Sequence, residues 1–418
     1  MIGEVMQRFD YLIIGGGVAG TTAAETLRGF DAAPSIAIVS DEPHEFYSRI
    51  ALSKENYMLK KLPENSVWLK KASWYEEKHI AFFKGRTATK LEPTQKRISL
   101  DNGEELEYGK LLLAVGGTPR RLSFPGSDKR GVYYLRTLND ARSIMEEFES
   151  LKEGLLVGGG FITFELANIM AKRGIKPTIL LREPYYWANL LDEESGRLIE
   201  DVLKRNGVAI IYEDEIARAD GNDHIERIVT NKGRTIETRF VSIGVGITDC
   251  MKPFRTATML CEHGFVANQY LETSIPSVWT AGDCAEYFDV ILNERIQLGN
   301  WANAMLQGRC AAQNMFGQKT EFKALSAYTT TGLGMTICFV GDIRVTPDKE
   351  VIKRGDRASG KYTRIIVRGN KIVGAMQFNM TPELPFISKL ITEGRDISPL
   401  KEKLADPAVD LRILTTTA

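Results

Sequence analysis

One local pattern occurs twice in this chain and constrains its fold more than any other feature. Asp10 to Ile14 is a strand-like run that leads straight into Gly15-Gly16-Gly17-Val18-Ala19-Gly20. Thr21 to Arg28 then reads as a helix, and Ser35 to Val39 as a second strand that ends at Ser40-Asp41-Glu42. The plan returns where Gly154 to Val157 leads into Gly158-Gly159-Gly160-Phe161-Ile162-Thr163. A helix continues as Phe164 to Lys172, and a strand follows at Thr178 to Leu181. Two later landmarks repeat as well. The turn Asn102-Gly103 is echoed by Lys232-Gly233, and Ala114-Val115-Gly116-Gly117 by Gly244-Val245-Gly246. Such duplication predicts two domains of common α/β design.

The glycines have separate physical tasks. Gly15 and Gly158 permit a tight turn from strand to helix. Gly17 and Gly160 let a pyrophosphate approach the backbone without meeting a Cβ. The helix start then offers the N–H groups of Val18, Ala19 and Gly20, or of Phe161 and Ile162, and the positive end of the helix dipole. Gly20 lets helix and strand pack closely, whereas Thr163 stands at the matching place in the second loop. Asp41 follows Gly20 by 21 residues, the offset expected of an acid that binds a ribose. Each half therefore reads as a Rossmann-like dinucleotide-binding domain.

A length of 418 residues predicts two to three domains. The third is α+β. From Ser326 onward the sequence alternates with period two over Thr336 to Val340, Tyr362 to Val367 and Lys371 to Met376, with Gly369-Asn370 as a hairpin turn. Phe386 to Thr392 and Pro399 to Leu404 read as short helices. Lys plus Arg and Asp plus Glu are 54 each, so a nucleic-acid-binding charge is excluded. Apolar runs such as Leu111 to Val115 are far too short to span a membrane. Met1 to Arg8 carries no apolar signal segment, so a cytoplasmic protein is expected. The cysteines at 250, 261, 284, 310 and 338 form no Cys-x-x-Cys, and His44, His79, His224 and His263 are scattered. No metal site is expected, and the thiols read as buried singles.

Longer motifs carry a resemblance. Glu42-Pro43, then Tyr47-Ser48-Arg49-Ile50-Ala51-Leu52-Ser53-Lys54, resembles the acidic-Pro, Tyr-x-Arg-Pro-x-Leu-Ser-Lys stretch of two-dinucleotide flavoprotein reductases, with Ile50 where those carry Pro. Leu112 to Arg120, Tyr134-Leu135-Arg136-Thr137, Ser277 to Asp283, and Trp301-Ala302-Asn303-Ala304 with Gln307-Gly308-Arg309 are similar to further motifs of that superfamily. Within it the chain most resembles the rubredoxin, ferredoxin and putidaredoxin reductases and the FAD–NADH module of nitrite reductases. The resemblance implies FAD at the first loop and NADPH or NADH at the second. It assigns residues 1–120 and 251–325 to an FAD domain, 121–250 to an NAD(P)H domain and 326–418 to a C-terminal domain.

The resemblance also implies roles. Asp41 takes the FAD ribose, with Glu42 beside it. Arg49, Ala88, Ala114, Gly116, Arg136, Gly282 and Trp301 line the flavin nucleotide, and Asp283 meets the ribityl chain from a helix start. Gly246 joins the nicotinamide site. Lys54 and Glu165 form the pair beside flavin N5. The acid that selects NADH falls on Leu181 and is followed by Arg182, which favours NADPH, although Glu183 stands next to it. Positions 43 to 60, where disulfide-using relatives carry their redox cysteines, contain none. Electrons are therefore expected to leave the flavin directly. The expected enzyme is an FAD-dependent NAD(P)H:acceptor oxidoreductase serving a small iron–sulfur protein, rubredoxin or ferredoxin. An NAD(P)H oxidase or quinone reductase, an FAD-binding subunit of a larger redox complex, and a flavin-binding sensor are the alternatives. A homodimer stays open.

Overall fold

The computed structural model describes residues 6–249, 251–256 and 258–416. The chain divides into two compact units. One holds residues up to 48 together with 65–118 and 248–326, and the other holds 49–64, 119–247 and 327 onward.

The first unit is built on a parallel sheet. Gln7–Ile14 lies at its centre, between Ile36–Ser40 and Glu105–Leu113, and Ile80–Lys84 extends it outward. Val278–Thr280 pairs with the end of Glu105–Leu113, in parallel. Ala88–Glu92 and Arg97–Leu100 complete the sheet as an antiparallel ribbon. Alternate residues of the central strand feed two cores. Tyr11 and Ile13 join one with Ala23, Leu27 and Ala311, and Leu12 and Ile14 join the other with Leu111, Leu113 and Phe265. A sheet buried on both faces needs such a continuous apolar run. Each fully buried aliphatic side chain contributes roughly 1.5–3 kcal/mol. The helices Val18–Phe30 and Trp301–Phe316 pack on the first face. Their contact passes through Gly308, where an added Cβ would stand 2.2 Å from the Ala19 carbonyl oxygen.

The second unit repeats the plan. Glu153–Val157 lies between Lys176–Leu180 and Val241–Ile243, with Ala209–Ile211 and Val132–Tyr133 at the edges, all parallel. Its antiparallel ribbon is Ile216–Asp220, Arg227–Thr230 and Thr235–Glu237. The echoed turns occupy equivalent corners, and both Gly103 and Gly233 have positive φ.

The same unit contains a five-stranded antiparallel sheet in the order Ala327–Gly332, Met335–Gly341, Lys371–Phe378, Lys361–Arg368, Lys349–Asp356. Gly369 and Asn370 make the expected hairpin, both at positive φ. Helix Leu384–Glu393 covers the sheet. Asp342, at the end of an inner strand, is wholly buried and accepts hydrogen bonds from Arg344 Nε at 2.7 Å and Lys349 Nζ at 2.6 Å. Among the described residues no helix is long and apolar enough to cross a membrane.

Candidate functional site: two glycine-loop cradles and a buried ion pair

Each glycine loop crosses the backbone of the neighbouring strand at close range. A Cβ on Gly15, which has φ +117°, would lie 2.1 Å from the Ala114 carbonyl oxygen. At Gly158, with φ +103°, it would lie 2.5 Å from that of Gly244. The space beside Gly17 is open, and that beside Gly160 holds only the Gly244 carbonyl oxygen, at 4.0 Å. The helices that follow, Val18–Phe30 and Phe161–Lys172, have no side-chain N-cap. By contrast Leu138–Glu147 is capped by Thr137, Glu193–Arg205 by Asp192 and Trp301–Phe316 by Asn300. First-turn N–H groups need an acceptor. An open cradle without a capping side chain fits a pyrophosphate, which would supply that acceptor along with the charge the helix dipole favours.

Around the first loop, Asp41 is exposed at the strand end, whereas Glu42 is half-buried and accepts the Tyr47 hydroxyl at 2.6 Å. Ala88 is buried opposite Leu100. Ala114 and Gly116 leave the end of Glu105–Leu113, Gly116 at φ +66°. The Gly282 N–H donates to Gln307 Oε1 at 2.7 Å. Asp283 corrects an expectation. It lies in the turn between Val278–Thr280 and Ala285–Asp289, not at a helix start. The chain pairs Ala285–Asp289 with Phe265–Ala267, and the next helix begins only at Trp301. Gly299 leaves room for the Asp283 carboxylate, since an added Cβ there would come within 3.0 Å of Oδ1. The Trp301 ring stacks on Phe46 at 5.6 Å, with 8° between the planes.

Around the second loop, the Phe161 ring meets Trp187, Tyr328 and Phe339 edge-on at 4.5–5.1 Å. The Tyr186 hydroxyl donates to the Gly160 carbonyl oxygen at 2.8 Å. Thr163 is buried where the first loop has Gly20. The room it needs comes from the strand, for Gly244 stands where the first half has Ala114, and a Cβ there would come 3.1 Å from Thr163 Oγ1. Ile162 packs against the same glycine. Gly246, at φ +96°, accepts the Arg120 N–H at 3.0 Å. Leu181 is buried, while Arg182 is exposed and paired with Glu183 at 3.1 Å.

The second unit also brings together Lys54 and Glu165, whose Nζ and Oε1 are 2.5 Å apart. Glu165 is almost fully buried, and Lys54 is 39% exposed in its side chain. Ser53 Oγ donates to Glu165 Oε2, and Thr330 Oγ1 donates to Oε1 at 2.7 Å. Arg49 Nη1 donates to the Arg136 carbonyl oxygen at 2.9 Å, and the Arg136 N–H donates to Asp140 at 3.0 Å. Neither Ser53 nor Thr330 is singled out by the sequence. Ser53 stands inside the motif that ends at Lys54, though without a role of its own there, and no local pattern points to Thr330, far along the chain.

Cys284, Cys310 and Cys338 are buried free thiols, and Cys261 is half-buried. Burial pushes Cys284 up to about 11 and Cys310 up to about 12. Neither is a thiolate at neutral pH. Cys250 lies outside the described residues.

Residues 9–308 match the model of the pyridine nucleotide-disulphide oxidoreductase family. The chain belongs to that family. Membership implies FAD and NAD(P)H as the two dinucleotides. Residues 330–395 match the rubredoxin NAD+ reductase C-terminal domain. Among curated family relatives, the nitrite reductase [NAD(P)H] of Bacillus subtilis is 28% identical over 94% of this chain, which spans about half of that protein's length (48%). The ferredoxin reductase subunit of a 5,5'-dehydrodivanillate O-demethylase from a Sphingobium species is 28% identical over 98% of this chain and 99% of its own. In structure, a ferredoxin reductase from Rhodopseudomonas palustris superposes with a TM-score of 0.88 at 25% identity, covering 97% of this chain and all of its own. A chain of the covalent putidaredoxin reductase–putidaredoxin complex shares the fold, with a TM-score of 0.89 at 22% identity over 98% of each chain.

Proposed function

We propose that the protein is an FAD-dependent NAD(P)H:acceptor oxidoreductase that delivers single electrons to a small iron–sulfur carrier, a ferredoxin or rubredoxin. The observation that carries this reading is the pair of open, uncapped cradles in one chain, with no cysteine between positions 43 and 60 to relay electrons as thiols. The reductases named among its relatives support the choice of acceptor. A cytoplasmic location accords with the use of NAD(P)H. Residues 1–120 and 251–325 are assigned to FAD, 121–250 to the nicotinamide nucleotide and 326–418 to the C-terminal domain.

When bound, FAD accepts hydride from the nicotinamide and releases electrons one at a time. The chain's own residues bind and orient. The helix starting at Val18 holds the FAD pyrophosphate, and the one starting at Phe161 holds that of NAD(P)H. Of the two acids at the first strand end, Glu42 is already oriented by Tyr47 and is the better ribose ligand. Asp283 serves the ribityl chain from its turn, and Trp301, braced on Phe46, forms one wall. Ala88, Ala114, Gly116 and Gly282 present backbone, while Arg49 and Arg136 supply positive charge. Lys54 places an ammonium group where negative charge develops on reduction, and Glu165 holds that group in position. Arg182 favours NADPH through a 2′-phosphate contact.

Purified protein should be yellow and release FAD on heating. Anaerobic addition of NADPH or NADH should bleach it, and a ferredoxin or rubredoxin should restore the colour. A colourless protein that refuses FAD sinks the proposal. Bleaching followed by fast reoxidation by oxygen or quinone alone would favour the oxidase or quinone-reductase reading.

A further inference from the structure

The carboxylate of Glu165 has almost no contact with water, so its charge must be met by donors. Lys54 and Ser53 supply two of them from the short segment 49–64. The third comes from much further along the chain. Thr330, 2% exposed, lies on strand Ala327–Gly332 of the C-terminal sheet. Its hydroxyl donates to Glu165 Oε1 at 2.7 Å and stands 3.5 Å from Lys54 Nζ, which can donate to it in turn. Lys54 Nζ, Glu165 Oε1 and Thr330 Oγ1 therefore form a triangle in which each atom contacts the other two.

The strand that bears Thr330 is held against the same helix one turn further on. Asn168, three residues after Glu165, accepts the Leu333 N–H at 2.9 Å through Oδ1 and donates to Glu55 at 3.1 Å through Nδ2. Gly332 lets the strand lie close, since a Cβ there would come 3.0 Å from the Phe164 ring and 3.2 Å from Asn168. Leu333 and Gly334 turn the hairpin at positive φ. The strand that carries Thr330 is thus held against Asn168 by its backbone, independently of the hydrogen bond that the Thr330 hydroxyl makes.

We propose that Thr330 is a positioning residue for the Lys54–Glu165 pair, through which the C-terminal domain sets where the ammonium group is held. It anchors Oε1 so that the carboxylate cannot turn away from Lys54, and it offers Lys54 a second acceptor. This rests on the reading of Lys54 and Glu165 given above.

The test uses holoenzyme with Thr330→Val, which keeps the shape and removes the hydroxyl, Thr330→Ser, which restores it, and Lys54→Met as reference. Anaerobic stopped flow should show the limiting rate of flavin reduction falling about ten-fold in Thr330→Val, the scale of one lost bond to a charged group. The nucleotide concentration at half-saturation should stay unchanged, FAD content should stay stoichiometric, and the flavin midpoint potential should move in the same direction as in Lys54→Met. Thr330→Ser should recover the wild-type rate. A merely structural role would lower the melting temperature or the FAD content and leave the limiting rate and potential alone. If Thr330→Val reduces at the wild-type rate while Lys54→Met is slow, the proposal falls and the reading of the pair stands. If Lys54→Met also reduces normally with FAD bound, the reading of the pair falls with it. Should Val at 330 prevent folding, Thr330→Ala serves as the hydroxyl deletion.

Discussion

The guanidinium of Arg182 rests 3.1 Å from the carboxylate of Glu183, its own neighbour in sequence. With the Arg182 side chain 71% exposed, this ion pair is worth well under ~1 kcal/mol. It is therefore easily given up for a stronger partner. A 2′-phosphate is such a partner, since two parallel bonds to a dianion exceed one exposed contact with a carboxylate. Arg182→Glu should lower kcat/KM for NADPH about ten-fold or more and spare NADH. A wild type that strongly prefers NADH, or equal losses with both nucleotides, would assign the pocket to Glu183 instead.

Lys54→Met should slow flavin reduction by NAD(P)H roughly ten-fold or more, at about 1.4 kcal/mol for each decade. It also leaves the buried Glu165 without its cation, so the variant should be less stable as well as slower. Stopped-flow rates equal to wild type would remove Lys54 from the chemistry.

The cysteines should be bystanders. Burial holds Cys284 and Cys310 far above neutral pH in titration, up to about 11 and about 12, so neither offers a nucleophilic thiolate. Iodoacetamide at neutral pH should leave both unmodified in the folded protein, and replacing all five cysteines should keep dye reduction within a few fold. Stoichiometric inactivation by alkylation of one residue, with FAD retained, would contradict this.

Acid stability should depend on Asp342. Burial alone would raise its pKa, but Arg344 and Lys349 outweigh burial and hold it down at about 2 against an ordinary 3.8. A carboxyl with a depressed folded pKa stabilises the fold above its unfolded value and loses that contribution as pH falls toward 2. The contribution is about 2 kcal/mol near neutrality. Asp342→Asn should accordingly lower the melting temperature clearly at pH 7, with the gap closing between pH 4 and pH 2. A gap independent of pH would show that packing, not charge, is what the substitution removes.

Much of the fold is legible from local pattern. The central strands of both parallel sheets are apolar on both faces, so Asp10 to Ile14 and Gly154 to Val157 stand out in the sequence. In the C-terminal sheet, the three inner strands are buried along almost their whole length, on both faces, so the expected period-two alternation gives way to near-continuous burial, whereas the edge strands Ala327–Gly332 and Lys349–Asp356 are largely polar. Edge strands meet water along one side and carry Thr, Lys and Glu, which leaves no apolar run to mark them in the sequence. Of the site, Lys54 and Glu165 sit in recognisable motifs. Thr330 sits on one of those illegible edges, and it reaches Glu165 by tertiary contact that no local spacing encodes. The helix start at Asp283 comes from the resemblance and from no local pattern, while the observed pairing of Ala285–Asp289 with Phe265–Ala267 depends on residues distant in sequence.

Thr163 and Gly244 should behave as one unit. Gly244→Ala should destabilise by about 1 kcal/mol, because the new methyl meets Thr163 Oγ1 at 3.1 Å. Thr163→Ala in the same chain should relieve most of that loss, giving a coupling measurable by denaturant melts of the four variants. Additive losses would show that the contact relaxes without cost.

That exchange limits how the two halves can be recombined. Thr163 faces a strand that ends in Gly244, whereas a Cβ at Gly20 would stand 2.0 Å from the Gly15 carbonyl oxygen of its own loop. The smallest portable module is therefore a loop together with the strand end it crosses, some eighty to one hundred residues away in the chain. A chimera that grafted Phe161-Ile162-Thr163 onto the first half would set a branched side chain against the Gly15 carbonyl oxygen and the Ile13 side chain, 2.0 and 2.9 Å from a Cβ at that position. A graft of Val18-Ala19-Gly20 onto the second would leave a void where Thr163 had been. Chimeras that move the second loop should carry Gly244 along with it, even though that residue does not belong to the glycine motif.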